Sequence, residues 1–403
     1  MKPINVIGLG YIGLPTALML AANGVEVVGT DINQALVDKL NAGQLTFEEN
    51  GLPELMEKAS SKVKFSTVCA DSGCYIIAVP TPYCADTKKI DAKYIVAAVK
   101  SVLEICSDGA IICVESTIAP GTIDEAVRPL VAASGKQVKL AHAPERVIPG
   151  NMVHELTNNS RTVGADDEET AERLVALYRT FCQSEIVTTD VKTAALSKVV
   201  ENTYRDINIA FANELSRLCH FEGVDVRELV ALANRHPRVN VHVPGPGVGG
   251  HCISVDPWFL VGDHPEVMTV VAASRAVNDG QPRYVFERLQ AIMLTENITD
   301  FARVAFYGLT FKANVDDTRG SPGLQLFEEM QKDGICGATW YDPYVADKLV
   351  DGQVFTPDEF LANTDIVVIL MPHDEIKENA DALNGRVVFD TCDALGGDAG
   401  YVL

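Results

Sequence analysis

Apolar positions along the chain follow two alternating patterns. Short runs rich in β-branched residues occur at "INVIGLG" (4–10), "EVVGTD" (26–31), "CYIIAVP" (74–80), "AIICVES" (110–116) and "VKLAHAP" (138–144). These predict buried strands. Between them the apolar spacing becomes helical, as in "GLPTALMLAANG". Strands alternating with helices imply a parallel, doubly wound sheet. The theme returns in the last third, at "RVAFYGL" (303–309), "GATWYDP" (337–343), "DIVVILM" (365–371) and "RVVFDT" (386–391). The stretch from roughly 190 to 290 lacks strand patterning. There, "VKTAALSKVVENTYRDINIAFANELSRLCHFEG" keeps helical spacing and predicts one helix of about 30 residues.

Composition narrows the class. The 403 residues are 47% hydrophobic and 22% charged, as expected for two or three globular domains. No apolar run approaches the ~20 residues of a membrane span. The start, "MKPINVIGLG", enters a strand directly without signal-peptide features, so a cytoplasmic location is expected. A net charge of −22 argues against nucleic acid or an anionic membrane as partner. An anionic small molecule stays possible, because lysines and helix N-termini make local positive pockets. The ten cysteines form no C-x-x-C pair, and His251 beside Cys252 has no further ligands at zinc spacing. No metal is expected.

The strongest local signal is "GLGYIG", which supplies G-x-G-x-x-G at Gly8, Gly10 and Gly13, with Tyr11 and Ile12 between. It follows a strand, opens a helix, and is answered by Asp31 at the end of the next strand. This context specifies a dinucleotide fold. Asp31 can accept from the adenine ribose hydroxyls and would repel a 2′-phosphate, so the expected cofactor is NAD. "AVPTP", with Pro80 and Thr81, and "ESTIAPGT", with Thr117, end strands of the same sheet and should face the cofactor. The predicted fold is α/β: two Rossmann-like, doubly wound parallel-sheet domains joined by a long central helix. The expected boundaries are 1–188, 189–290 and 291–403.

"GPGVGGHCISVDPW" (245–258) places Cys252 in the most glycine-dense loop of the chain. Core cysteines sit in apolar runs, and this one does not. The following "ISVDPWFL" can start a helix whose N-terminus would favour a thiolate. Lys198 and Asn202, four apart on the long helix, share one face.

With "GLGYIGLP", "STIAPGT", "PER" (144–146), "SKVVENTYRDINIAFANE" (197–214), "GPGVGGHCISVDPW" and "GLTFKANVDDTRGSP" (308–322) in order, the chain resembles the UDP-glucose/GDP-mannose (UDP-sugar 6-) dehydrogenase family. "HPRVN" (236–240) and "GGHCISVDPWF" look like its branch acting on UDP-N-acetylhexosamines, with the N-acetyl-D-mannosamine members the nearest. N-acetyl-D-glucosamine and, behind it, glucose remain alternatives. Val255 and Pro149 stand where glucose enzymes carry a lysine and a second glutamate.

The resemblance implies a four-electron oxidation of the C6 alcohol to a carboxylate with two NAD, for polysaccharide building, by a homodimer. Cys252 would form a thiohemiacetal and then a thioester. Lys198 and Asn202 would stabilise oxyanions. Asp256 would tune Lys198 or hold a water. Glu145 would activate the hydrolytic water and Thr117 would position it. The substrate contacts it implies are Glu145, Arg146, Val147, Lys198, Asn202, Arg205, Gly249 and Lys312, with Arg238 or Arg235 reaching from the partner subunit. Arg319 would lie near the cofactor.

Overall fold

The computed structural model describes every residue except Met1, Ala85, Pro149, His251 and Asp398. The chain forms two compact units, Met1–Glu201 and Asn202–Leu403.

Unit 1 is built on an eight-stranded sheet. Its strands are β1 (Ile4–Ile7), β2 (Val27–Thr30), β3 (Val63–Ser66), β4 (Cys74–Ile77), β7 (Ile111–Val114), β8 (Lys139–His142), β9 (Arg161–Ala165) and β10 (Ile186–Thr189); β5 (Tyr83–Cys84) and β6 (Lys89–Ile90) form a separate hairpin. The spatial order is β10-β9-β8-β7-β4-β1-β2-β3. All pairings in that sheet are parallel except β8 with β9, an antiparallel junction that strand–helix alternation does not predict. The helices are α1 (Gly13–Ala22), α2 (Gln34–Asn41), α3 (Leu52–Ala59), α4 (Lys93–Ile105), α5 (Arg128–Ser134), α6 (Met152–Asn158) and α7 (Glu168–Tyr178).

Alternate strand residues feed two cores, as the period of two requires. Val6, Ile76 and Cys113 join Leu14 and Leu18 of α1 on one face. Ile7, Ile77 and Val114 join Ile95 and Val99 of α4 on the other. Helices on both faces explain why these strands read as continuous apolar runs. The order of the strands reverses at β1, between β2 and β4, and in open α/β sheets ligands bind at such a point.

The long central helix is α8 (Val191–Glu222), 32 residues. The boundary between the units falls inside it.

Unit 2 continues with α9 (Val226–Ala233), α10 (Asp256–Asp263), α11 (Thr269–Asp279) and α12 (Gln281–Thr295). Its sheet contains β11 (Val304–Tyr307), β12 (Thr339–Tyr341), β13 (Ile366–Ile369), β14 (Val387–Asp390) and β15 (Tyr401–Val402), in the order β12-β11-β13-β14-β15. Every pairing is parallel. Around it lie α13 (Pro322–Lys332), α14 (Pro357–Leu361) and α15 (Asp374–Glu378). Phe306 and Val368 face one core, and Tyr307 and Ile369 the other. Among the described residues no helix is long and apolar enough to cross a membrane.

Candidate functional site

The three glycines of unit 1 have three different surroundings. Gly8 has φ +90°, and a β-carbon there would lie 2.6 Å from the Ala78 carbonyl oxygen. On Gly13 it would lie 1.8 Å from the Gly8 oxygen. Both positions therefore serve the turn and its seating against β4. A β-carbon on Gly10 would meet nothing within 4 Å. Gly10 is the residue that leaves room outside the turn, at the N-terminus of α1, and in dinucleotide folds that is the position a pyrophosphate approaches.

Asp31 closes the turn from the end of β2. Its Oδ2 accepts from Leu9 N–H at 2.9 Å and its Oδ1 from Asn33 N–H at 2.9 Å. It is half-buried, so each oxygen keeps acceptor capacity for a ribose hydroxyl. Tyr11 is 44% exposed and packs on Phe47, ring centroids 4.4 Å apart; Ile12 is half-buried. Exposed Pro80 and buried Thr81 follow β4, and half-buried Thr117 follows β7. Ser116, which the sequence reading passed over, ties these two loops together by donating to the Val79 carbonyl at 2.6 Å. This set fits a dinucleotide without a 2′-phosphate.

The same unit holds Glu145, Arg146 and Val147 after β8. Glu145 accepts from the Arg146 N–H at 2.6 Å and is ion-paired with buried Arg161. The Arg146 guanidinium is engaged by Glu201 at 2.7 Å and by Ser160, so it is already held within unit 1. Val147 packs against the core. Glu49 fixes the segment after them, accepting from the N–H groups of Gly150 and Met152 at 2.7 and 2.8 Å. Pro149 lies outside the described residues. Lys198 on α8 is 7% exposed and makes no hydrogen bond or ion pair within the described residues.

In unit 2, Asn202 donates from Nδ2 to Asp256 Oδ2 at 2.6 Å. Both are buried, at 6% and 2% exposure. Asp256 is the first residue of α10, and its N–H reaches back to the Cys252 carbonyl at 2.8 Å. Cys252 itself is exposed; its neighbour His251 lies outside the described residues.

The glycines before it have a packing cause. A β-carbon on Gly249 would lie 2.6 Å from Phe311 Cβ and 2.7 Å from the Gly320 oxygen. One on Gly250 would lie 2.8 Å from the Phe311 ring. Gly250 N–H also donates to the Arg319 carbonyl at 2.9 Å. The missing side chains of Gly249 and Gly250 admit the 311–320 segment.

That segment carries half-buried Lys312 and exposed Arg319, whose guanidinium pairs with Asp317 at 2.5 Å. Arg205, Arg235 and Arg238 are exposed.

Unit 2 repeats the turn of unit 1 with a different outcome. Gly308 has φ +107°, and Leu309 N–H donates to Asp342 Oδ2 at 2.6 Å, as Leu9 does to Asp31. Asp342, however, also accepts from Thr310 N–H at 3.0 Å, Tyr344 N–H at 2.9 Å and His373 Nε2 at 3.2 Å, and is 3% exposed. Asn314 N–H donates to His373 Nδ1 at 2.9 Å, which leaves the ring proton on Nε2. Burial pushes the Asp342 carboxyl up, but the His373 contact and the N–H donors outweigh it and hold it below the usual range. This second acid is part of the fold, with no capacity left for a ribose.

The comparisons agree with this arrangement. Residues 2–182 match the NAD binding domain of the UDP-glucose/GDP-mannose dehydrogenase family, 192–280 its central domain and 305–397 its UDP binding domain. A UDP-N-acetyl-D-mannosamine dehydrogenase of Methanococcus maripaludis is 40% identical, covering 98% of this chain and 93% of the relative. An NDP-N-acetyl-D-galactosaminuronic acid dehydrogenase of Ralstonia nicotianae is 39% identical over 97% and 95%. Among solved structures, the UDP-N-acetyl-mannosamine dehydrogenase of Staphylococcus aureus has a TM-score of 0.87 at 39% identity, covering 100% of this chain and 97% of that one. The UDP-D-ManNAc dehydrogenase of Pyrococcus horikoshii has a TM-score of 0.90 at 35% identity, with 99% and 97% covered. With all three domains matched in order and a dinucleotide turn suited to NAD, the chain belongs to the UDP-glucose/GDP-mannose dehydrogenase family of NAD-dependent oxidoreductases.

Proposed function

We propose that the protein oxidises C6 of UDP-N-acetyl-D-mannosamine from alcohol to carboxylate, with Cys252 as covalent nucleophile. The observation that carries this reading is an exposed cysteine on a turn whose next helix begins with a buried aspartate bonded to Asn202. The full-length likeness to relatives named for that substrate supports the choice of sugar.

NAD⁺, when bound, accepts one hydride from C6 in each of two oxidations. The Cys252 thiolate adds to the C6 aldehyde between them and retains it. After the second oxidation the sugar is held as a thioester. Glu145 takes a proton from water as the water oxygen attacks the carbonyl carbon. The C–S bond then breaks and the thiolate leaves. Lys198 and Asn202 stabilise the oxyanions, Asp256 orients Asn202, and Thr117 positions the water. Arg205, Gly249, Lys312 and one of Arg235 and Arg238 contact the nucleotide sugar, and Arg319 lies near the cofactor.

Exposed Leu196, Val200, Tyr204, Phe211 and Leu218 recur at four- and seven-residue spacing on α8. This supports pairing of two copies along that helix.

The test is incubation with NAD⁺ and UDP-N-acetylmannosamine, UDP-N-acetylglucosamine, UDP-N-acetylgalactosamine or UDP-glucose. Two NADH per UDP-N-acetylmannosamine are expected, and none of the acid from Cys252→Ala. One NADH per sugar overturns the covalent mechanism, and a higher kcat/KM for another sugar overturns the substrate.

A further inference from the structure

Unit 1 contains a buried charge cluster of which these steps use only Glu145. Arg161, the first residue of β9, is 4% exposed and faces two carboxylates. Its Nη1 and Nη2 both donate to Glu115 Oε1 at 3.2 Å, and Nη2 also donates to Glu145 Oε2. The guanidinium lies over the Tyr178 ring, 4.1 Å from its centroid, which fixes its plane. Glu115 accepts further from Thr16 Oγ1 of α1 at 3.0 Å and from the Tyr178 hydroxyl at 3.1 Å. Its side chain is fully buried, and that of Glu145 is 8% exposed.

Burial pushes the Glu115 carboxyl up, with Arg161 the main charge opposing it, and among the described residues no other cation is paired with either carboxylate. Burial keeps the Tyr178 hydroxyl and the Cys113 thiol protonated, each pushed well above its ordinary range. Buried His142 on β8 is pushed down to about 4 by desolvation and is neutral at pH 7. Arg146 is turned to Glu201 and Ser160. Lys198, on α8, has no ion-pair partner among the described residues. One guanidinium therefore serves two carboxylates. For stability alone this is a poor arrangement, since one carboxylate satisfies an arginine and a second buried anion costs desolvation. Such frustrated sets are characteristic of groups tuned for chemistry.

We propose that Arg161 and Glu115 are positioning residues that set the orientation and basicity of Glu145. Arg161 holds one Glu145 oxygen and favours its anion, while Glu115 draws off part of the same positive charge and keeps Glu145 basic enough to take a proton from water. The inference rests on the reading of Glu145 as the hydrolytic base. It adds a role for β7 and β9, and it links the base through Thr16 to the helix that carries the dinucleotide turn.

The signs are opposite for the two partners. With Glu115→Gln, Glu145 has Arg161 to itself and its protonation midpoint falls. With Arg161→Lys, the Nη2 contact to Glu145 is lost and the midpoint rises. A full loss of the neighbouring cation corresponds to about 1–3 pH units, so shifts of about 0.5–1 unit are expected from these milder changes.

The experiment is a single turnover of the intact protein with UDP-N-acetyl-D-mannosamine and excess NAD⁺, quenched across pH 5–9. Uronate release and enzyme-bound sugar are both followed by mass spectrometry. The NADH burst counts competent sites in each variant, so a poorly folded fraction is not mistaken for a shift. The expected result is a hydrolysis midpoint that moves down for Glu115→Gln and up for Arg161→Lys. Midpoints unchanged within 0.2 unit, or moved in the same direction, overturn the proposal while leaving Glu145 as base if Glu145→Gln still accumulates the adduct. A Glu145→Gln variant that hydrolyses at the wild-type rate overturns the reading beneath it.

Discussion

Gly10→Ala and Gly13→Ala make the same chemical change three residues apart, and the structure assigns them opposite effects. On Gly13 the new methyl would sit 1.8 Å from the Gly8 oxygen and 3.1 Å from Ala78 Cβ. Ordinary contact needs well over 1 Å more, and α1 cannot slide to provide it, because every residue from Gly13 to Ala21 is buried. Overpacking of this kind costs about 1–3 kcal/mol and sometimes more, and backbone against backbone belongs at the upper end. For a domain of this size about 3 kcal/mol lowers Tm by roughly 6–12 °C.

On Gly10 the methyl enters open space at a φ outside the left-handed region. There the loss of unfolded-state freedom stabilises by about 0.4–1 kcal/mol. The same methyl would stand where a pyrophosphate approaches in dinucleotide folds. Wild-type protein should gain about 2.7 kcal/mol from NAD⁺ at a hundred times Kd, and Gly10→Ala should lose most of that gain.

Calorimetry or urea unfolding with and without NAD⁺, followed by ligand titration, separates the four cases. Gly10→Ala protein that binds NAD⁺ like wild type refutes the argument. So does Gly13→Ala protein that melts within 2 °C of wild type.

Two further outcomes follow from buried groups. Asp342→Asn should cost about 3 kcal/mol in urea unfolding, because it breaks a buried pair and sets an amide against N–H donors; Asp31→Asn should change stability by less than about 1 kcal/mol, yet erase much of the NAD⁺ over NADP⁺ preference in titrations. His142 has its folded pKa depressed to about 4 from 6.5. The unfolded chain therefore binds the extra proton between these values, and stability is fully present above pH 6.5 and falls by about 3 kcal/mol towards pH 4. His142→Gln should remove that contribution from the slope measured by urea unfolding at pH 5 and 7.5, and an identical slope would count against it.

Both sheets were legible in the sequence because their central strands are buried on both faces, leaving apolar runs with few interruptions. The strands that escaped notice are the β5–β6 hairpin, β15 at the edge of the second sheet, and β3, β9 and β10 at or near the edges of the first. β3 reads "VKFS" with Lys64 exposed, β10 reads "IVTT", and β9 opens on an arginine. The dinucleotide turn was legible because its chemistry is local: glycines at fixed spacing and an acid at the end of the next strand. The Glu115–Arg161–Glu145 cluster was not, because nothing in sequence spacing predicts the antiparallel placement of β9 beside β8. A charged residue ending the apolar run "IICVE" was the one available hint. The glycine-rich cysteine loop was legible as special, but the packing that Gly249 and Gly250 serve was not. The groups that require Gly249 and Gly250 lie some sixty to seventy positions downstream.

That last contact bears on how the nucleophile could be moved between proteins. Residues 245–258 look like a self-contained cassette, yet their path is moulded on the side chain of Phe311 and the carbonyl of Gly320. Transplanted alone into a scaffold with a different 311–320 strip, the cassette would lose its mould and Cys252 its address. The heritable unit is a matched pair of strips, one carrying the thiol and the other its template, and neither can be exchanged without the other.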